Sequence, residues 1–249
     1  MLDKMNEKTV AIIQARMGST RLPNKVLKEI SGKPLIWHII ERAKLAKNID
    51  QIIVATSTND LDTPLYDYLT SIDVLCIRGS EDDVLSRYYT AASDVGADII
   101  VRLTGDNPLI DYKMLDDAVE YYHKSGLPYV STIDVPTINK PIPLGVGCEV
   151  FSYELLKEAH MNAMKSYERE HVTPYMYLDK IKINRSEITP YSFRLTVDTI
   201  EDFSCIGMIY ELLYHGKHDF CTDEIIECLL LNPEIGITNA GIIQKKLGE

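Results

Sequence analysis

Over its first 130 residues the chain alternates short apolar runs with segments of helical period, and this alternation restricts the fold more than any other feature. Thr9-Val10-Ala11-Ile12-Ile13-Gln14 and Gln51-Ile52-Ile53-Val54-Ala55-Thr56 are apolar on both faces, as strands in the middle of a covered sheet must be. Val74-Leu75-Cys76-Ile77 and Asp98-Ile99-Ile100-Val101-Arg102-Leu103 read as a third and fourth strand. Between them, Leu35, Ile36, Ile39, Ile40 and Ala43 recur at helical spacing behind Pro34, which suits a first helical turn. A second helix opens at Asp62-Thr63-Pro64, with Asp62 or Thr63 as its cap. Asp83 to Val95 reads as a third, and Tyr112 to about His123 as a fourth, burying Met114, Leu115, Ala118, Val119 and Tyr122. Strand and helix in this order predict an α/β fold with a mostly parallel central sheet and right-handed crossovers. Ligands of such sheets bind beyond the carboxyl ends of the strands.

The second half is less regular. Residues 132–148 hold Pro136, Pro141, Pro143, Gly145 and Gly147, so they read as a long loop, of the kind that serves a function or moves. Cys148 to Phe151 reads as a strand, Ser152 to Ala163 as a helix, and Tyr191 to Val197 as a late strand. Helices are expected over Ile200 to Tyr214 and Asp223 to Leu231, giving a helical C-terminal part over about 200–249. A chain of 249 residues, 45% hydrophobic, can bury one sizeable core, and residues 1–249 are read as a single domain.

Charge and cysteine content exclude several classes. The net charge of −11 repels polyanions, so no nucleic-acid partner is expected and an anionic ligand needs a local cluster of cations. No apolar run reaches the roughly 20 residues of a membrane span, and the polar start lacks a signal-peptide core. No membrane partner is expected, and the protein should stay in the cytoplasm. Five scattered cysteines without a Cys-x-x-Cys pair read as buried free thiols.

The local cation cluster follows the first strand, in Gln14-Ala15-Arg16-Met17-Gly18-Ser19-Thr20-Arg21-Leu22-Pro23-Asn24-Lys25. Gly18 permits close backbone approach, Ser19 and Thr20 add hydroxyls, and Arg16, Arg21 and Lys25 suit a triphosphate. The segment matches neither the P-loop nor the Gly-x-Gly-x-x-Gly pattern, and a solvated basic loop is the plain alternative. Thr104-Gly105-Asp106 and Val197-Asp198 each end an apolar run, which puts two carboxylates at the sheet edge where a triphosphate would lie. Such a pair suits Mg²⁺ completed by substrate phosphates. Equally, Asp106 is placed as a turn residue before Pro108, and Asp198 as a cap for the next helix.

Arg16-Met17-Gly18-Ser19-Thr20-Arg21-Leu22-Pro23, then Lys25-Val26-Leu27 and Gly32-Lys33-Pro34-Leu35, resembles the opening of the cytidylyltransferases, which include the 3-deoxy-manno-octulosonate and N-acylneuraminate enzymes. The likeness runs over about 9–210 and is closest to the branch named for spore-coat polysaccharide biosynthesis protein F. It continues in the segments 78–88, 102–111, 169–175 and 194–202. It implies a nucleotide-diphospho-sugar transferase-like sandwich, a homodimer, and a nucleotidyltransferase joining CTP to a sugar or sugar-acid acceptor for cell-surface polysaccharide. It also implies that Ala15 to Arg21, Lys25, Thr104 and Gly105 contact the nucleotide, with Arg16 and Lys25 catalytic. Gly79, Ser80, Asp83 and Arg87 would lie near base and ribose, and Asp106 and Asp198 would hold Mg²⁺. Asn24 stands where many relatives read Gly, and Ile200 where many read Pro. The acceptor-side residues of the ulosonic-acid enzymes find no match, so the resemblance names no acceptor.

Candidates for the acceptor side are His171 as a base, Arg169 as an anion partner and Glu149 as a hydroxyl ligand. The plain alternatives are a helix-terminus hydrogen bond for His171 and an edge-strand charge for Glu149. The segment from Asn139 to Gly147 is a candidate lid. Two other functions share this sheet: a glycosyltransferase consuming a sugar nucleotide, and a non-catalytic nucleotide-sugar binding protein. The first usually carries an Asp-x-Asp pair, whereas Gly105-Asp106-Asn107 stands here, and the second has no use for a reactive metal site. Met208, Ile209, Leu212 and Leu213 read as core, or else as a dimer face.

Overall fold

The computed structural model describes residues 7–136, 138, 142–180 and 193–244. Strand β1 (Thr9–Gln14) is followed by a hairpin of β2 (Glu29–Ile30) and β3 (Lys33–Pro34), then helix α1 (Leu35–Ala43). Next come β4 (Gln51–Ser57), α2 (Thr63–Ser71), β5 (Cys76–Gly79), α3 (Val84–Val95), β6 (Ile99–Thr104) and α4 (Tyr112–Ser125). The remainder holds β7 (Tyr129–Ser131), β8 (Glu149–Ser152), α5 (Tyr153–Asn162), α6 (Ser166–His171), α7 (Ile200–Leu213), α8 (Thr222–Leu231) and α9 (Pro233–Ile237).

Six strands form one sheet in the order β5-β4-β1-β6-β8-β7. The first four are parallel, whereas β8 runs antiparallel to both of its neighbours. The expected α/β fold with a mostly parallel sheet is therefore present. Alternate residues of β1 feed two cores: Ala11 and Ile13 one, Val10 and Ile12 the other. That division explains why the strand is apolar on both faces. Chain order reverses between β1 and β6, so the loops after these two strands flank a crevice.

Several expectations are corrected. The late strand does not join the sheet: both sides of β6 are taken, by β1 and β8, so no edge is open beside it. Instead Leu195 N donates to Leu144 O at 2.7 Å and Leu144 N to Phe193 O at 3.0 Å, and Val197 N donates to Asp106 O at 2.8 Å. Tyr191 and Ser192 of that expected strand lie outside the described residues, as do 139–141 of the candidate lid, 1–6 and 245–249. The third strand begins at Cys76, later than expected, and runs on to Gly79. Pro34 sits before the first turn of α1 with extended ψ, pairing in the hairpin. Strand β7, the hairpin, α6 and α9 were not foreseen, each being too short to show a period. Among the cysteines Cys148, Cys205, Cys221 and Cys228 are buried and free, and Cys76 is partly so. No helix among the described residues is long and apolar enough to cross a membrane. Ile209 is core and Met208 and Leu213 pack on it, while Leu212 is exposed.

Candidate active site

The crevice is closed at its base by backbone. Gly105 N donates to Gln14 O at 2.7 Å, and a Cβ on Gly105 would stand 2.7 Å from the Ala15 Cβ. Only glycine lets the two loops meet this closely. The turn after β1 is held from below by Asp62, whose Oδ1 accepts from Met17 N at 2.6 Å while Oδ2 accepts from Ser57 N and Oγ. Asp62 therefore does not cap α2 with its side chain, as the sequence suggested: its carboxylate is fully used in buttressing the loop. Met17 O receives Ser19 N and Asn24 N at 2.8 and 3.2 Å, curling the loop on itself. Asn24 is left-handed (φ 58°), a conformation that glycine adopts freely and asparagine tolerates. This accounts for Asn where many relatives of the resembled family read Gly.

A cavity of about 510 Å³ opens above this base. It is lined by Ala15, Arg16, Gly18, Ser19, Thr20, Arg21 and Lys25 from the first loop, and by Thr104, Gly105 and Asp106 from the β6 end. Arg87, Arg102, His171 and Asp198 complete its wall. Arg16 and Arg21 are exposed and Lys25 is half-buried, and all three border this cleft. Met17 is the exception within the loop, since its side chain is buried and its N–H is held by Asp62.

Asp106 and Asp198 meet at one ammonium. Lys25 Nζ lies 3.0 Å from Asp198 Oδ1, 3.5 Å from Asp106 Oδ2 and 2.7 Å from Val197 O. Arg21 and Arg194 reach Asp198 Oδ2 at 3.0 and 2.8 Å. Burial opposes ionisation of Asp198, but Lys25, Arg21 and Arg194 overcome it and hold the carboxyl below its usual range. The cap alternative does not describe Asp198: helix α7 is capped by Thr199, and its capping box is closed by Asp202. Asp202 is fully buried and accepts from Arg194, Asn239 and the backbone of Asp198 and Thr199. Asp106 does sit in a turn, with Thr104 Oγ1 donating to its Oδ1 at 2.5 Å, and its other oxygen faces Lys25. Among the described residues no cluster of three acidic, histidine or cysteine side chains could hold a metal. Two carboxylates and a carbonyl nevertheless already gather around a cation here, the Lys25 ammonium.

The far wall is built on Arg102, which donates to Glu149 at 2.6 Å and to Gln14 Oε1 at 3.2 Å. Burial works against the Arg102 charge and Glu149 more than restores it. Glu149 also accepts from Tyr129 and from Thr173 Oγ1, and it lies on an interior strand, so it is no edge-strand charge. Arg87 is buried, and its Nε and Nη1 have no hydrogen-bond partner among the described residues. Burial pulls its pKa down from the usual arginine value, and an anion that reached these two nitrogens would find them without a partner among the described residues. Gly79, Ser80 and Asp83, expected near base and ribose, are not among the residues that line the cavity. A Cβ on Gly79 would meet the Arg87 Cγ at 2.7 Å, so glycine there makes room for Arg87.

His171 lines the cavity and makes no side-chain hydrogen bond among the described residues, so the helix-terminus alternative does not describe it there. Burial lowers its pKa, with Glu170 opposing and Arg102 adding to the shift, which favours the neutral ring. Val172 follows at φ 70°, ψ −57°, with Thr173 N donating to His171 O at 2.8 Å. This is a γ-turn in its rare, strained hand, and a buried β-branched residue holds it. It turns His171 to the cavity and Thr173 to Glu149. Arg169 is not brought to the cavity: its guanidinium is held by Asp83 and by His160 O, which leaves it unavailable as an anion partner. A second recess of about 220 Å³ shares Arg102 and Thr104 with the first and adds Asn107, Ser131, Thr132, Gly145 and Glu149.

Arg102, Arg194, Asp202 and Thr173 were missed as site residues. A signal for two of them was present: Arg102-Leu103-Thr104-Gly105-Asp106 and Arg194-Leu195-Thr196-Val197-Asp198 both read Arg-Leu-Thr-x-Asp. In each, the leucine anchors in the core and the aspartate reaches Lys25.

A family model described as cytidylyltransferase matches residues 10–221, a span that includes every group around Lys25. The chain belongs to the cytidylyltransferase family. Among cytidylyltransferase relatives, spore coat polysaccharide biosynthesis protein SpsF of Bacillus subtilis is 32% identical, covering 90% of this chain and 94% of its own. The uncharacterized protein MJ1063 of Methanocaldococcus jannaschii is 40% identical, over 97% of this chain and 98% of its own. A solved cytidylyltransferase from Leptospira borgpetersenii superposes with a TM-score of 0.82 at 32% identity, covering 96% of this chain and all of its own.

Proposed function

We propose that this cytidylyltransferase uses CTP and Mg²⁺ to activate a sugar, ulosonic acid or phosphorylated sugar-like acceptor, releasing pyrophosphate, for cell-surface polysaccharide or glycan synthesis. One observation carries the reading: Arg16, Arg21 and Lys25 line a single cavity with Asp106 and Asp198, and both aspartates touch Lys25. Arg16, Arg21, Lys25 and the Ser19 and Thr20 hydroxyls bind the triphosphate, and Arg87 gives its unpaired guanidinium to an anionic part of the ligand. Asp106 and Asp198 would hold Mg²⁺, which when bound would supply electrostatic stabilisation of the charge developing on the triphosphate.

The acceptor oxygen attacks the α-phosphorus in line; the bond to the α–β bridging oxygen breaks, and pyrophosphate leaves. The protein acts by positioning and electrostatics. The smaller recess, with Glu149, Thr132 and Asn107, is the acceptor side. Neutral His171 takes the proton when the acceptor is a hydroxyl, while a phosphate or phosphonate oxygen needs no base. The reaction belongs in the cytoplasm, with the whole chain as one catalytic unit. It works as a homodimer, a reading supported by exposed Leu212, Leu230, Leu231 and Ile237 on the C-terminal helices. No feature of the site favours a sugar-nucleotide-consuming glycosyltransferase.

The test is pyrophosphate release with CTP, Mg²⁺ and a panel of ulosonic acids, aldose phosphates and phosphonates. Acceptor-dependent release that Asp106→Ala abolishes supports the reading. Release that Asp106→Ala leaves unchanged contradicts it.

A further inference from the structure

The groups around Lys25 do more than bind phosphate. Its ammonium has three protons, and three oxygens surround it: Val197 O, Asp198 Oδ1 and Asp106 Oδ2, at 2.7, 3.0 and 3.5 Å. The remaining carboxylate oxygens are also covered, Asp198 Oδ2 by Arg21 and Arg194, and Asp106 Oδ1 by Thr104. Counting Asp202, which Arg194 also binds, three carboxylates face three cations, and the cluster is neutral as it stands. Two carboxylates and a carbonyl form the hard-oxygen donor set that a divalent cation would use. A lysine nitrogen already fills it.

We infer that Lys25 is a resident counter-cation: in the nucleotide-free protein its ammonium fills the slot between Asp106 and Asp198 and keeps divalent cations out until a triphosphate draws it away. This rests on the reading that these two aspartates hold the metal. A divalent ion entering with Lys25 in place would sit at contact distance from an ammonium in a partly buried site, where like charges repel strongly. Waiting costs little, because the side chain lies only 11% exposed among partners. A triphosphate supplies the exchange. Its oxygens offer Lys25 and Arg21 new anionic partners, and the flexible four-carbon stem lets the ammonium follow them. The carboxylates it releases are then free for the metal. Metal and nucleotide therefore assist each other, by the same factor in each direction. Free divalent cations therefore do not lock the site in an unproductive state before the nucleotide arrives.

The experiment titrates Mn²⁺ into nucleotide-free protein and reads unbound Mn²⁺ by electron paramagnetic resonance. Wild type should bind only weakly, in the millimolar range, while Lys25→Met should bind at least about tenfold more tightly, the scale of a close charge coupling. Adding Asp106→Asn to Lys25→Met should abolish the gain. Lys25→Gln is a second neutral variant should methionine perturb folding, which circular dichroism will show. Micromolar Mn²⁺ binding by nucleotide-free wild type would overturn the inference without any variant. So would equal affinity in wild type and a folded Lys25→Met, or a gain that survives Asp106→Asn. The underlying reading has its own readout in the Mn²⁺–CTP–protein complex of wild type. If Asp106→Asn removes that complex while Lys25→Met gains nothing, the metal assignment stands and the resident-cation inference falls. If Asp106→Asn keeps that complex, the metal assignment itself is wrong.

Discussion

Acidification should weaken this fold through a buried histidine pair that the reaction does not use. His38 Nε2 lies 2.7 Å from Ile30 O, and a carbonyl only accepts, so Nε2 carries the proton. Its Nδ1 is then an acceptor, and His218 Nε2, 2.9 Å away, donates to it. Both rings are neutral and buried. A second proton on His38 would point at the His218 N–H, with Arg42 nearby adding repulsion. Burial chiefly depresses the His38 pKa from 6.5 to about 4, and that of His218 to about 3. Unfolded histidine takes up protons near 6.5 and the folded ring does not, so stability is full above 6.5, falls as pH drops below that unfolded value, and levels off once pH is below the folded values. For His38 alone, going from pH 8 to 5 should remove about 2 kcal/mol. The His218 shift acts in the same direction, but part of it is repulsion from His38, so the two are not added. Urea unfolding at pH 8, 6.5 and 5 measures the loss, and histidine NMR, assigned with His38→Gln, reads the ring directly. A His38 ring that titrates near 6.5 in the folded protein would refute the argument. Because Ile30 belongs to the hairpin following the phosphate loop, CTP binding should weaken over the same range.

Other expectations follow from single contacts. Gly105→Ala places a Cβ against Ala15 and Gln14 O, and should destabilise by about 1–3 kcal/mol with a larger rise in KM for CTP, read by urea unfolding and steady-state kinetics. Arg102→Met strands the buried Glu149 carboxylate and should cost about 3–5 kcal/mol, part of which Glu149→Leu restores in the double variant. His171→Gln should lower kcat by about 10²–10⁴-fold with a hydroxyl acceptor and remove the acid limb of the pH–rate profile. That limb lies below the ordinary histidine value, because burial lowers the His171 pKa.

What could be read from the sequence was local. β1 and β4 were legible because strands covered on both faces must be apolar throughout, and α4 because its buried residues recur at helical spacing. The phosphate loop was legible because its cations crowd within a few residues. Asp62 was misread: a cap is a rule about neighbours, whereas its partner Met17 is 45 residues away. Leu195 to Val197 was misread because an apolar run looks the same whether it joins a sheet or pairs with a loop. Arg169 looked free because Asp83, 86 residues earlier, is brought to it only by the packing of α3 against α6. The γ-turn at Val172 carries no local signature, since valine is disfavoured there and is held by its burial.

The most direct test of the central claim is thermal unfolding with Mg²⁺ and CTP, UTP, GTP or ATP in turn. A ligand at 100 times its Kd adds about 2.7 kcal/mol to stability, a readily measured rise in midpoint. Selective stabilisation by CTP, lost in Asp106→Ala, is the predicted result. Stabilisation by another triphosphate and not CTP, or by none of the four, would contradict it.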